Sequence, residues 1–212
     1  MIKKIILAAV AVVAIGTSGA QAGPAYLSFG AENGGSGFLN YNSFANYTVG
    51  PGSVDLIGNG YFDAYPGNGL YVDLAGSTGQ YGALTTKTIF APGTYHIGLS
   101  LGGPIYSSYG GIAMTDGANV SWGQGAGLDF ILPGLAMADY NFTVTLLGPE
   151  AFTISDLGLT GNGNIGSTLF GFNVTRAVDS VDRRVPEPFT LSLFGAGAVG
   201  LAALRRRKKK TA

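Results

Sequence analysis

Tyr140-Asn141-Phe142-Thr143-Val144-Thr145-Leu146 decides the fold. Large apolar residues take every second position, and Asn141, Thr143 and Thr145 fill the gaps. Successive side chains of an extended chain point to opposite faces, so this stretch has one oily face and one polar face. The same period recurs twice. Tyr95, Ile97, Leu99 and Leu101 alternate with His96, Gly98 and Ser100, and Phe170, Phe172 and Val174 alternate with Gly171, Asn173 and Thr175. Each stretch predicts a strand in a sheet buried on one side.

Working outward, weaker strand signals lie at Tyr26 to Phe29, Phe44 to Val49, Val54 to Ile57, Leu70 to Leu74, Leu84 to Phe90, Leu128 to Leu132 and Phe152 to Leu159. Gly50-Pro51-Gly52, Pro66-Gly67-Asn68-Gly69, Gly76-Ser77-Thr78-Gly79 and Ala91-Pro92-Gly93 supply turn chemistry between them. No segment between Gly23 and Ser180 keeps a helical apolar period over three turns. Many short strands separated by Gly and Pro turns predict an all-β protein, an antiparallel β-sandwich. Gly102 to Gly127 reads as a long connection holding one strand.

Composition narrows the function. The chain of 212 residues is formally neutral, with 36 glycines and no cysteine. Its cations cluster at the ends, as Lys3, Lys4 and Arg205 to Lys210. Between Gly23 and Ser180 the only cations are Lys87 and Arg176, against ten Asp and Glu residues. That acidic middle argues against nucleic-acid binding, which needs a cationic surface. Without cysteine there is neither a disulfide framework nor a thiolate metal site.

The two ends read as addresses. Met1-Ile2-Lys3-Lys4, the apolar run Ile5 to Ile15 and the small-x-small site Ala20-Gln21-Ala22 form a three-part secretory signal. Cleavage after Ala22 leaves Gly23 as the new terminus and implies Sec export. At the other end, Val185-Pro186-Glu187-Pro188 precedes an uncharged run, Phe189 to Leu204, and the cations Arg205, Arg206, Arg207 and Lys208. As a helix that run spans about 24 Å. Snorkelling arginines bring it toward the ~30 Å of a hydrocarbon core, and the cations keep their end cytoplasmic.

This tail resembles the PEP-CTERM sorting signal of Gram-negative bacteria. The resemblance implies that exosortase, a membrane transpeptidase, recognises the tail, removes the anchor and releases or transfers the exported protein. Such proteins accompany exopolysaccharide and biofilm functions. A second resemblance lies in Gly52 to Gly58, Tyr61 to Gly79, Ala91 to Leu101 and Gly163-Asn164-Ile165-Gly166. These stretches are similar to the galactose-binding-like jelly roll found in exported bacterial PEP-CTERM proteins. Gly163, Phe172-Asn173 and Gly102-Gly103-Pro104 depart from the family pattern, so its ligand positions are not carried over.

Candidate chemistry is sparse. Asp63 and Asp73 flank the Pro66 to Gly69 turn; a glycosidase needs two carboxylates at a set separation, but turn acids more often bond to local N–H groups. His96 falls on the polar face of its strand, and no nucleophile elbow accompanies it. Oxygen donors for a structural Ca²⁺ would come from Asp63 and Asp73, with Glu32 and Asn164, an expectation that rests mainly on the jelly-roll resemblance. Sugar contact would use aromatic and amide groups in Gly-rich loops, with Tyr65, Asn68 and Trp122 as the candidates.

The expected organisation is a signal peptide at 1–22, a β-sandwich at 23–176, a linker at 177–184 and the sorting signal at 185–212. A signal helix and a C-terminal transmembrane helix complete the expectation. The expected protein is exported and non-catalytic, without a certain cofactor. It is anchored in the inner membrane until exosortase acts, then lies at the cell surface or in the matrix, associated with polysaccharide. The alternatives are a self-associating coat protein without a sugar site, or a polysaccharide-degrading enzyme.

Overall fold

A computed structural model describes residues 25–177 except 107, 111 and 124. The signal peptide residues Ala20, Ala22 and Gly23, the sorting residues Val185 to Pro188, the cations Arg205 to Lys208 and both predicted terminal helices lie outside the described residues.

The strands are β1 (Ala25–Ser28), β2 (Tyr47–Val49), β3 (Asp55–Gly58), β4 (Leu70–Asp73), β5 (Ala75–Gly76), β6 (Gln80–Tyr81), β7 (Ala83–Thr86) and β8 (Gly93–Gly102). They continue with β9 (Ser108–Tyr109), β10 (Ile112–Ala113), β11 (Thr115–Trp122), β12 (Ala126–Pro133), β13 (Met137–Leu146), β14 (Phe152–Asp156) and β15 (Thr168–Arg176). One sheet runs β13-β8-β15-β4-β3, with β1 also on β15; the other runs β12-β11-β14-β7-β2. All pairings are antiparallel, as expected for an all-β jelly-roll sandwich.

The three alternating stretches are β13, β8 and β15, and they are neighbours in one sheet. Their apolar positions Ile97, Leu99, Leu101, Val144, Leu146, Phe172 and Val174 are buried in the main core. Leu84, Ala118, Val120, Phe152 and Ile154 of the other sheet belong to the same core. Phe152 sits 5.6 Å from Phe172 and 5.3 Å from Phe90, ring centre to ring centre, in edge-to-face contacts. Each such buried side chain contributes about 1.5–3 kcal/mol, which in a cysteine-free chain carries the fold.

Two expectations need correction. Phe170 does not share a face with Phe172 and Val174. The register of β15 against β8 slips between Leu169 and Gly171. One extra residue in a bulge reverses the facing of the residue before it, so Leu169 enters the main core instead. Phe170 packs with Ile57, Tyr65 and Tyr71 in a second cluster. The region Gly102 to Gly127 holds more structure than one strand: β9, β10 and the eight-residue β11, which lies inside its sheet between β12 and β14.

The two described cations are tied to main chain. Lys87 Nζ donates to the Phe44 carbonyl at 2.6 Å, and Arg176 Nη2 donates to the Pro92 carbonyl at 3.1 Å.

Candidate functional site: a glycine-floored trough

The polar positions of β13, β8 and β15 align into rows across the sheet. Asn141 opposes Gly98, which opposes Asn173. Asp139 opposes Ser100, which opposes Gly171, which opposes Ser28 of β1. Thr143 opposes His96, which opposes Thr175. Directly opposed residues share a face, so the small residues Gly98, Ser100 and Gly171 form a floor between taller neighbours.

The result is a hollow of about 440 Å³ at the Ser28, Ser100, Gly98, Asp139, Asn141 and Asn173 end. A second hollow of about 210 Å³ adjoins it through Gly98, Asn141 and Asn173 and reaches His96, Thr143 and Thr175. His96 Nδ1 and Thr143 Oγ1 are 3.1 Å apart, so the imidazole is held against the wall. Thr175 Oγ1 donates to Asn173 Oδ1 at 3.5 Å. The walls present amides and hydroxyls. The lining holds one carboxylate, Asp139, one imidazole, His96, and no Lys or Arg.

The residues singled out from sequence lie elsewhere. Tyr65 is only 6% exposed, and its hydroxyl donates to the Gly103 carbonyl at 2.9 Å. It reads as exposed because its loop is glycine-rich, yet its ring meets Tyr71 and Phe170 edge-on. Asn68 Nδ2 donates to the Tyr65 carbonyl at 2.9 Å, closing that turn. Trp122 is in the opposite sheet, half-buried beside Phe152. The structure therefore keeps Trp122 apart from Tyr65 and Asn68.

Asp63 and Asp73 also have separate surroundings. Asp63 Oδ1 accepts from the Tyr71 hydroxyl at 3.1 Å and the Tyr65 amide at 3.3 Å, and Oδ2 accepts from the Gly60 amide at 3.1 Å. Donors point at both oxygens, an environment unsuited to a cation. Asp73 is buried at the end of β4 and accepts from the Ala75 amide at 2.9 Å. Among the described residues no three Asp, Glu or His side chains group as metal ligands. A Ca²⁺ held by Asp63 and Asp73 does not fit this arrangement.

Asp73 belongs instead to a group of buried acids. Burial pushes its carboxyl well above the usual range, and the charges of Asp55 and Asp156 add to the rise. Asp156 accepts from Gly158 and Ser167 amides at 2.7 and 2.8 Å. Burial and then Asp116 push its pKa up to about 7. Burial also raises Asp116, against the pull of the Gly117, Leu159 and Thr160 amides. Beside Asp73 across the strands stands Thr168, whose Oγ1 is buried with no hydrogen-bond partner. The Tyr65 hydroxyl, whose proton goes to the Gly103 carbonyl, is near it.

Residues 184–208 match the PEP-CTERM protein-sorting motif. This chain carries a PEP-CTERM signal. The PEP-CTERM motif marks an exported protein that exosortase sorts, held through its C-terminus before processing. No curated protein matches the sequence.

Several solved structures resemble the PEP-CTERM chain. A family 35 carbohydrate binding module from Clostridium thermocellum aligns at 11% identity over 74% of this chain and 100% of its own, with a TM-score of 0.41. The CBM35 of Cellvibrio japonicus Abf62 aligns at 13% over 68% of this chain and 95% of its own, also at 0.41. The exo-β-1,3-galactanase of Phanerochaete chrysosporium aligns at 16% over 66% of this chain, with a TM-score of 0.38. The PEP-CTERM chain spans 29% of that enzyme's length. These are likenesses of fold alone.

Proposed function

We propose that this protein is an exported, non-catalytic surface or matrix component that holds a neutral polysaccharide in the trough across β13, β8 and β15. One observation supports the reading above others: Asn141 and Asn173 stand on either side of the Gly98 floor. Their amides both donate and accept, as sugar hydroxyls require. Ser28, Ser100, Thr143 and Thr175 extend the same chemistry along the trough. A polyanion has no Lys or Arg to meet there, whereas an uncharged chain meets dipoles beside the one carboxylate of Asp139. Asp139 is the sole carboxylate of the lining, and glycoside hydrolysis ordinarily uses a pair.

In this reading the signal peptide at 1–22 directs export, the sandwich at 23–176 is the cargo, and 177–184 links it to the sorting signal at 185–212. After exosortase acts, the sandwich lies at the surface or in a biofilm matrix.

The test is affinity electrophoresis of the exported protein in gels containing the host's own exopolysaccharide. Retardation of the natural protein, lost in the Asn141→Ala/Asn173→Ala double variant, is expected. Equal retardation of both proteins, or loss only in Trp122→Ala, moves the sugar site out of the trough. Release of reducing ends from the polysaccharide would replace the reading with an enzyme.

A further inference from the structure

We propose that, before its tail is processed, the sandwich stands end-on on the bilayer that holds its anchor, touching lipid through the tips of the β7–β8 and β13–β14 loops. The phospholipid surface is the partner, and Ile89 and Leu147 are the side chains that enter it.

The strand register defines this end. β15 leaves the sheet at Arg176, which opposes Tyr95 of β8, and the Ala177 amide donates to the Thr94 carbonyl at 2.8 Å. Gly93, where β8 begins, opposes Leu146, where β13 ends. Leu147 is the next residue, and Ile89 lies four residues before Gly93. The two loops are joined to each other. The Phe90 amide donates to the Glu150 carbonyl at 2.7 Å, and the Glu150 amide to the Phe90 carbonyl at 2.9 Å. Arg176 Nη2 donates to the Pro92 carbonyl in the first loop. The departing chain and both loop tips therefore share one end of the sandwich.

The surface of this end suits a headgroup region. Leu147 is 92% exposed and Ile89 is 61% exposed. Both are presented by fixed backbone, because their neighbours Leu146 and Phe90 are buried, the latter against Tyr95 and Phe152. Lys87 and Arg176, the only cations of the described residues, both belong here, against one acid in the two loops, Glu150. Each cation keeps its charge while donating to a carbonyl, so an anionic bilayer attracts this end. The exposed carboxylates Asp129 and Asp139 lie farther along their strands, opposite Asn119 and Ser100.

The anchor selects lipid as the occupant. Exposed apolar side chains occur elsewhere, with Tyr106, Leu135, Met137 and Leu159 at the opposite end and others beside β3 and on β12. None of those surfaces lies where the chain leaves for the membrane. Residues 178–188 separate Ala177 from Phe189, where the uncharged run of the sorting signal begins. Fully extended, they reach about 40 Å. β8 and β13, ten residues each, set the opposite end about 33 Å farther off. Membrane attachment grows with buried apolar area and with attraction to anionic lipid. Two side chains are too little to hold a free protein, but a short tether raises their effective concentration at the surface.

The chain has no cysteine, so single labels report position directly. Ile89→Cys, Leu147→Cys, Met137→Cys, Leu159→Cys and Gly195→Cys proteins, each with its tail intact by mass, carry a polarity-sensitive fluorophore. They are reconstituted in vesicles of phosphatidylethanolamine and phosphatidylglycerol, with and without a nitroxide on the acyl chains. The labels at 89 and 147 should shift to shorter wavelength and be quenched, while those at 137 and 159 keep their aqueous spectra. In a further arm the label sits at Thr88→Cys, and adding Ile89→Asp and Leu147→Asp should return it to its aqueous spectrum. Labels at 89 and 147 that stay aqueous beside a quenched label at 195 overturn the docking and leave the anchor. So does equal quenching at all four sandwich positions, or a Thr88 label that the aspartates do not move. The docking rests on the anchor, and an unquenched label at 195 overturns both.

Discussion

Asn141 and Asn173 flank Gly98 from adjacent strands, and a methyl group built on that glycine would stand 3.5 Å from Asn141 Oδ1 and 3.5 Å from Asn173 Cβ. That is ordinary contact distance, so Gly98 is open space between two amides rather than a packing necessity. Gly98→Leu should therefore fold with a melting temperature close to the natural protein's, because it adds a side chain on an open face. It should fill the trough and reduce polysaccharide retardation at least as much as removing both asparagines. Normal retardation in a folded Gly98→Leu protein would count against the trough.

Thr168→Val should stabilise the fold. Its Oγ1 is buried without a hydrogen-bond partner, and an unpaired buried hydroxyl costs about 1–3 kcal/mol. Valine keeps the shape and removes the polar atom. Thermal unfolding should shift upward by a few degrees; a downward shift would reveal a bond to the hydroxyl, such as one to Tyr65.

Stability should fall as pH rises from about 4 to 8. Asp73, Asp116 and Asp156 have folded pKa values above their unfolded ones, Asp156 at about 7. The folded state thus binds more protons across this range, and stability declines until these groups are ionised. Melting at pH 5 should exceed melting at pH 8. Asp156→Asn should lower the acid value through lost amide bonds while flattening the slope.

Asp63→Ala should loosen one loop without unfolding the sandwich. The carboxylate takes up the Gly60 and Tyr65 amides and the Tyr71 hydroxyl. It also holds a turn in which Phe62 adopts φ 46°, an unfavourable region for a bulky residue. The loss should be about 2 kcal/mol, with faster hydrogen exchange confined to the amides of Gly60 to Tyr65.

Replacing Pro186, Glu187 and Pro188 by alanine should leave full-length protein in the membrane fraction. Intact-mass measurement of the membrane and medium fractions gives the answer, and unchanged release would remove exosortase recognition of this motif.

Much of the sandwich was legible because its strongest strands turn one face to the core, which forces a period of two. Asn141, Thr143, Gly98, Ser100, His96, Gly171, Asn173 and Thr175 were all visible as the polar half of that period. Their meeting in one trough was not, because strand order is set by long-range pairing that no local pattern encodes. β11 escaped for a different reason. Its buried positions include Gly117 and Ala118, and a Cβ on Gly117 would lie 2.0 Å from the Phe130 carbonyl oxygen. Tight approach there requires small residues, which resemble a loop when read in sequence. Tyr65 misled in the opposite direction: glycines on its loop let the chain fold back and bury the ring.

The scarcity of Lys and Arg has a practical outcome. Trypsin cuts after those residues, and in the described region it finds only Lys87 and Arg176, each side chain fastened to a carbonyl. Digestion of even the unfolded protein would leave one very long peptide from Thr88 to Arg176, outside the range routine proteomics records. A matrix rich in this protein would look poor in it, unless the sample were cut with chymotrypsin, for which its many aromatic residues provide ample sites.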